Sequence, residues 1–450
     1  MDNFRETVSA IFQAGLDAAL PEAAVRKALH VRDGRLEIAR DDEPGFRSAN
    51  WSVVRVIAIG KAATRMATAI SEALPDSLFP GPGIVVTNDE NRRDLDRFVV
   101  HATGHPLPDA RGVKAAAAVT NVARESKAGE LVLVLISGGA SALVPAPCPD
   151  IDLAAKTETT SILMAAGADI GQLNTVRKHL SVLKGGGLAR LAAPADLHAL
   201  LLSDVIGDDL STIASGPTVP DPTTFTEAIE ITRNLGVFDS LPETVRQHLQ
   251  RGVEGVVAET PGPEDKIFER TSATLIGGNR MSLEAAYRAA KHTDANATIL
   301  GDSICGEARQ EARTFAETAV ERLRQARDER VTLLAGGETT VKVQGNGLGG
   351  RNQEFALAFC MAMEELAPRT PWAFLSGGTD GRDGPTDAAG GVVDENTIVR
   401  LRDAGVDPLA ALDNNDSYRA LEASGDLLMT GGTGTNVADL QVFVSRPVVQ

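Results

Sequence analysis

The chain has 450 residues, 43% of them hydrophobic, and 44 Lys and Arg against 61 Asp and Glu give a formal net charge of -17. This length exceeds one ordinary domain and favours two or three, each with its own core. The acidic balance argues against a nucleic-acid or anionic-membrane partner, which would need surplus Lys and Arg, so an anionic ligand has to be held by a few local cations and backbone amides.

The opening segment, MDNFRETVSAIFQAGLDAAL, sets Phe4, Val8, Ile11 and Phe12 at helical spacing among charges, which predicts an amphipathic helix and no export signal. No run reaches the ~18 apolar residues of a membrane span. Cys148, Cys305 and Cys360 are scattered, odd in number and without zinc spacing, which fits a reducing cytoplasm. Beyond residue 50, short β-branched runs alternate with Ala-rich amphipathic stretches, the pattern of an α/β protein with a mainly parallel sheet. Strands are predicted at 53–60, 83–88, 131–139, 197–205, 274–278, 331–337, 372–381 and 427–432.

Lys61 follows the first of these strands and a glycine at the start of a helix. An anion there would meet both an ammonium and the helix N-terminus, although a solvated lysine has the same sequence. His101 and His105 form a close pair, read as loop packing because no third metal ligand is nearby. Gly138, Gly139 and Ser141 form a turn whose amides suit either a phosphate or a plain strand-to-helix connection. Asp204, Asp208 and Asp209 close the strand at 197–205. One of them suits a turn or cap, and the others suit Mg2+ or a general base. The stretch GVVAETPGPEDK, 255–266, reads as a linker separating a domain at 1–255 from one at 267–450, or as a long surface loop within one domain.

In the second half, Ala308, Ala312, Phe315, Ala319 and Leu323 make one apolar stripe along a predicted helix at 307–326. Five predicted strands end in Gly-Gly pairs, at 138, 277, 336, 377 and 431. Because ligands of open α/β sheets bind beyond the carboxyl ends of strands, several of these turns are expected to line one phosphate-rich cleft. GNGLGGRNQE places Gly345, Gly347 and Gly350 in the G-x-G-x-x-G spacing of dinucleotide sites ahead of a helix at 352–366. The acidic ribose ligand expected ~20 residues on falls inside that helix, at Glu364 and Glu365. Asp380, Asp383 and Asp387 lack the alternating ligands and closing Glu of a calcium loop.

Taken together, IGKAA (59–63), GHPLPD (104–109), ISGGASAL (136–143), LNTVRKHLSVLKGGGLA (173–189), SDVIGDDLSTIASGPT (203–218), GGETTVKVQGNGLGGRNQE (336–354), GGTDGRDGPTDAAGG (377–391), NNDSY (414–418) and TGGTGTNVADL (430–440) resemble the glycerate 2-kinases of the glycerate kinase and MOFRL-domain class. The resemblance implies a larger Rossmann-like N-terminal domain, a smaller C-terminal α/β domain and an active site in the cleft between them. It further implies ATP- and Mg2+-dependent phosphorylation of the 2-hydroxyl of D-glycerate. Such proteins often carry the label hydroxypyruvate reductase or a link to tartrate utilisation.

The family's cleft lysine and arginine correspond to Lys61 and Arg351, positioned cations of the kind phosphoryl transfer requires. On that reading Gly138, Gly139, Ser141, Gly347, Gly349 and Gly350 hold nucleotide phosphates. Asn174, Lys178 and Lys184, with Arg177, form a basic helical patch for the substrate carboxylate or a merely solvated face. Asp204 is the choice for the base, and Asp208, Glu338 and Asp380 are the choices for metal. A homodimer is admitted as the assembly. The competing expectations are an NAD(P)H-dependent reductase of hydroxypyruvate or tartronate semialdehyde, and a non-catalytic sugar-acid or nucleotide-binding regulator; the chain has no basic helix-turn-helix for a DNA-linked one.

Overall fold

A computed structural model describes residues 3–41, 45–326, 329–368 and 370–446. It divides into two compact units, one of Pro21–Ser203 with Asp208–Ile276, the other of Met1–Leu20, Asp204–Gly207 and Gly277–Gln450.

The first, larger unit is built on a six-stranded sheet in the order Phe98–Thr103, Gly83–Asn88, Val54–Ile59, Leu131–Ile136, Asp196–Leu202 and Thr271–Gly277. The first five of these pair in parallel. LVLVLI at 131–136 is buried at every position, as expected of a strand covered on both faces. In chain sequence the order is third, second, first, fourth, fifth, sixth, the doubly wound arrangement whose direction reverses between Val54–Ile59 and Leu131–Ile136. An antiparallel meander of Leu29–Arg32, Arg35–Ala39 and Phe46–Ser48 belongs to the same unit. It is absent from the sequence expectation because its strands are short and charged, with an exposed Phe46.

The predicted linker is part of this unit and not its boundary. The Asp221 amide donates to the Pro261 carbonyl at 2.9 Å, and Thr260 Oγ1 donates to Asp221 Oδ2 at 3.0 Å. These bonds fasten 255–266 to the body as a surface loop, the alternative its composition allowed, and the division falls at Ile276 instead.

The second unit carries a mixed sheet ordered Thr298–Ile304, Val331–Gly337, Asp439–Ser445, Trp372–Gly378, Gly390–Asp394 and Leu427–Leu428. Asp439–Ser445 runs antiparallel to both of its neighbours. One face is covered by helices Ala308–Gln325 and Arg351–Leu366, with Phe355 and Phe359 stacked on Phe374 and Phe315 edge-on to all three in one core. The other face receives the N-terminal helix Phe4–Ala18, whose Phe4, Val8, Ile11, Phe12 and Leu16 pack with Leu334, Leu375, Leu440 and Val442. The chain's first helix thus belongs to its last domain, which a linear domain division at 255–266 does not provide for. The strand expected at 427–432 is reduced to two residues.

Candidate functional site

In the first unit the reversal of strand order brings two predicted segments together. Gly60 follows Val54–Ile59 with φ 131°, and a Cβ there would lie 2.2 Å from Ser137 Oγ, so the strand ends approach more closely than any other residue permits. The Lys61 amide donates to the Gly138 carbonyl at 2.9 Å, and the Ala62 amide to Ser137 Oγ at 3.0 Å. Lys61 itself is half-buried, two residues before helix Ala63–Ala73. Gly139, at φ 84°, has no room for a side chain either, since its Cβ would meet the His105 ring at 3.0 Å and Lys61 Cγ at 3.3 Å. Lys61, His105 and Gly138–Gly139 therefore share one corner at the carboxyl ends of adjacent parallel strands. Burial, followed by the Lys61 ammonium, holds the His105 imidazole below its ordinary value. The motif GHPLPD carried His105 in the sequence, but spacing alone gave it only a packing role.

Ser141 sits one turn on. Its Oγ lies 2.7 Å from Lys184 Nζ and 3.2 Å from Ser215 Oγ. Lys184 Nζ also donates to the Ala214 carbonyl at 3.1 Å and to Ser215 Oγ at 3.3 Å, while Ser215 donates to Asn174 Oδ1 at 3.0 Å. Asn174, Lys178 and Lys184 are all buried, which removes the solvated-face alternative. The structure separates their roles. Lys178 is committed to Asp221 at 3.2 Å, a carboxylate that also accepts from Thr223 and Thr260, so it holds the loop together and is not exposed to a ligand. Lys184 and Asn174 join Ser141 instead. Asp209 accepts from Ser211 and Thr212, making it the turn-forming member of the acidic trio.

In the second unit the focus is Arg351, the first residue of helix Arg351–Leu366. Its Nε and Nη2 bond Asp439 at 2.6 and 2.9 Å, and its Nη1 meets Glu338 at 2.9 Å. Asp439 opens the antiparallel strand and lies opposite Gly337 and Gly378, the ends of the two strands flanking it. A fixed guanidinium is thereby placed at the carboxyl ends of Val331–Gly337 and Trp372–Gly378. Three of its five N–H groups are engaged, leaving two for a ligand. Burial raises the Glu338 carboxyl above the usual range despite Arg351, and Asp439, Asp204 and Asp380 add to the rise; the motif TGGTGTNVADL contained Asp439, but the sequence reading gave it no role.

In the glycine-rich loop ahead of that helix the glycines are required by contacts within the chain. A Cβ on Gly347 would come within 2.5 Å of the Asn414 carbonyl, on Gly349 within 2.3 Å of Ser417 Oγ, and on Gly350 within 2.3 Å of the Asp383 carboxyl. The amides of Gln344 and Gly345 donate to Asn415 Oδ1, that of Gly347 to the Asn414 carbonyl, and that of Leu348 to Asp416. These glycines let the loop close on the chain's own segment 414–417. The anion expected at the helix N-terminus is likewise internal, because Asp383 accepts from the Asn352 and Gln353 amides at 3.1 and 2.8 Å.

No group of three or more His, Cys, Asp or Glu is arranged to hold a metal ion among the described residues, so Asp208, Glu338 and Asp380 are not assembled into a ready-made cage. Mg2+ typically takes one or two carboxylates and completes its shell with water and phosphate oxygens. Glu338 and Asp380, hard oxygen donors close enough to influence each other's charge, fit that requirement.

A doubly wound unit with a lysine and a glycine turn at its reversal point, in one chain with a second α/β unit presenting a carboxylate-braced arginine at its strand ends, defines a phosphoryl-handling enzyme. Residues 7–250 match a family described as a domain of unknown function, DUF4147, and residues 331–439 match the MOFRL family. The chain is 39% identical over 448 residues to a glycerate 2-kinase of Pyrococcus horikoshii, covering 98% of this chain and 97% of that one. It is equally 39% identical to a putative hydroxypyruvate reductase of Agrobacterium vitis, covering 98% and 94%. The crystal structure of a glycerate kinase from Thermotoga maritima superposes with a TM-score of 0.86 at 37% identity, covering 98% of this chain and 99% of that one. The chain belongs to the glycerate kinase family, as its motifs implied.

Proposed function

We propose that this protein transfers the γ-phosphoryl group of ATP to the 2-hydroxyl of D-glycerate, giving 2-phosphoglycerate. The observation that carries the reading is the Lys61 and Gly138–Gly139 corner at the strand-order reversal, where doubly wound sheets bind their ligands. The choice of substrate is supported by likeness to proteins named glycerate kinase over nearly the whole chain. Lys61 supplies a mobile point charge for phosphate, and Arg351 offers its two remaining N–H groups to the negative charge spread over the transferred group. Glu338 and Asp380 are the residues that would hold Mg2+, which neutralises phosphate charge when bound. A cytoplasmic location is supported by three unpaired cysteines, and no helix among the described residues is long and apolar enough to cross a membrane.

The reductase reading, carried by the names of two relatives, loses support at its supposed pyrophosphate turn, because the glycines of Gly345–Gly350 pack against the chain itself. Incubating the purified protein with ATP, Mg2+ and D-glycerate should release ADP and yield 2-phosphoglycerate by phosphorus NMR. NADH oxidation with hydroxypyruvate, without glycerate-dependent ADP formation, would reverse the choice between the two.

A further inference from the structure

Phosphoryl transfer to an alcohol leaves a proton to be removed, and the sequence offered only aspartates for that task. The buried network around Lys184 offers a different acceptor. Its amine touches three groups, Ser141 Oγ at 2.7 Å, the Ala214 carbonyl at 3.1 Å and Ser215 Oγ at 3.3 Å, and no carboxylate is among them. Ser215 directs its own proton to Asn174, and a carbonyl can only accept, so Lys184 donates to both of these. Its third direction faces Ser141.

The same heavy-atom positions then satisfy two proton arrangements. With a neutral amine, the Ser141 hydroxyl donates into the lone pair of Lys184. With an ammonium, the third N–H donates to Ser141 Oγ, whose own proton turns elsewhere. A proton can enter this network without reorganisation, which is the property a preorganised base requires.

The surroundings set which arrangement rests there. Lys184 borders an apolar cavity lined by Ile136, Val144, Leu183 and Leu188. The charged groups that act on it are cations, Lys156 from helix Leu153–Ala165, whose amine donates to the Pro145 and Leu180 carbonyls, and Arg177 from helix Ile170–His179. The nearby Lys178–Asp221 pair is neutral as a unit. Burial, then these two cations, pushes the Lys184 ammonium well below its ordinary value. The backbone wrapped around it is strained at Ala214 and Ser215, consecutively at φ 53° and 61°, and such strain persists where surrounding structure over-determines it. Ser141 lies two residues from Gly139, which touches Lys61, so this hydroxyl is beside the corner assigned to phosphate.

We propose that Ser141 and Lys184 form the proton relay of the phosphoryl transfer. The substrate hydroxyl gives its proton to Ser141 Oγ as the Ser141 proton passes to Lys184 Nζ. The freed oxygen bonds the γ-phosphorus, and the bond from phosphorus to the bridging oxygen breaks with its electron pair leaving on ADP. Lys184 returns its proton to solvent before the next cycle. This rests on the kinase reading above, and the experiment separates the two.

Glycerate-dependent ADP release by the unaltered protein is measured first, and its absence defeats the kinase reading. Given that activity, Ser141→Ala should lower kcat by ~10^2 to 10^4 and remove the acid limb of the kcat against pH profile, with ATP and glycerate binding retained. Lys184→Arg, which keeps a cation but cannot accept a proton near neutrality, should lose kcat similarly. Ethylamine added to Lys184→Ala should restore turnover in proportion to its free-base fraction. Ser141→Ala with unchanged kcat and profile, or Lys184→Arg with normal kcat, overturns the relay; the latter makes Lys184 a cationic anchor for the substrate carboxylate. If the Lys184 variants do not fold, Ser141→Ala decides alone.

Discussion

Arg351 and Lys61 are both cations at strand ends, yet their surroundings predict different responses to substitution. Arg351 is braced by two carboxylates, so Arg351→Lys cannot keep the bidentate bond to Asp439 and should behave nearly as badly as Arg351→Ala. We expect each to lose at least ~100-fold in kcat, the scale of one transition-state charge contact; turnover within a few-fold of normal would remove Arg351 from the reaction. Among the described residues Lys61 forms no side-chain ion pair, and Lys61→Met should lose activity by a comparable factor while leaving the thermal midpoint nearly unchanged. At this scale the sequence was legible where a residue's placement depends on a strand end followed by glycine, as at Lys61 and Ser141. It was not legible where a role depends on a distant partner. Lys178 looks like Lys184 in the chain, and only Asp221, 43 residues away, separates the lysine held in an ion pair from the one that joins Ser141. Asp439 sits in the motif TGGTGTNVADL without an assigned role until sheet pairing sets it between two glycine-ended strands.

The helix Arg351–Leu366 shows how an element holds a residue in place. Gly350, the residue preceding it, has no capping side chain, and Asp383 reaches in from another loop to take the role. Burial outweighs the two amide bonds and pushes the Asp383 carboxyl up to about 7. The sign follows from proton uptake. An unfolded aspartate titrates near ~3.9, so between about 4 and 7 the folded state binds the extra proton and stability falls as pH rises through that window. Asp383→Asn should flatten that slope in denaturant midpoints taken across the window; an unchanged slope would show that Asp383 ionises normally. The loop before the helix gives a second test. If Gly347 serves packing against Asn414, Gly347→Ala should cost ~1–3 kcal/mol of stability as overpacking does, with a lowered thermal midpoint. A raised KM for ATP at unchanged stability would return the loop to a phosphate. The glycines announced a close backbone approach correctly, since that is what glycine chemistry dictates, but sequence could not say that the approaching partner was the chain itself.

At the scale of the whole chain, the alternation of apolar runs and amphipathic helices made the α/β class readable, and buried strands such as 131–136 were the clearest because both their faces are covered. The assignment of segments to units was less readable, since nothing in MDNFRETVSAIFQAGLDAAL says which sheet its stripe will cover. The stripe covers the C-terminal one. Phe12 is 2% exposed and Val8 fully buried, Thr435 Oγ1 donates to the Ala19 carbonyl at 2.7 Å, and Gly15 is so close to Leu440 that a Cβ would lie 2.7 Å from its Cδ1. Five apolar side chains buried at ~1.5–3 kcal/mol each amount to ~7–15 kcal/mol, as large as the whole stability of a typical domain. Residues 277–450 produced alone should therefore fail to fold cooperatively, and a peptide of residues 1–20 supplied in trans, or fused ahead of them, should restore a melting transition. In the full chain Phe12→Ala should cost ~3–5 kcal/mol and lower the melting transition of the C-terminal unit before that of the other. A cooperative, undiminished transition from 277–450 alone would show that the helix merely decorates the sheet.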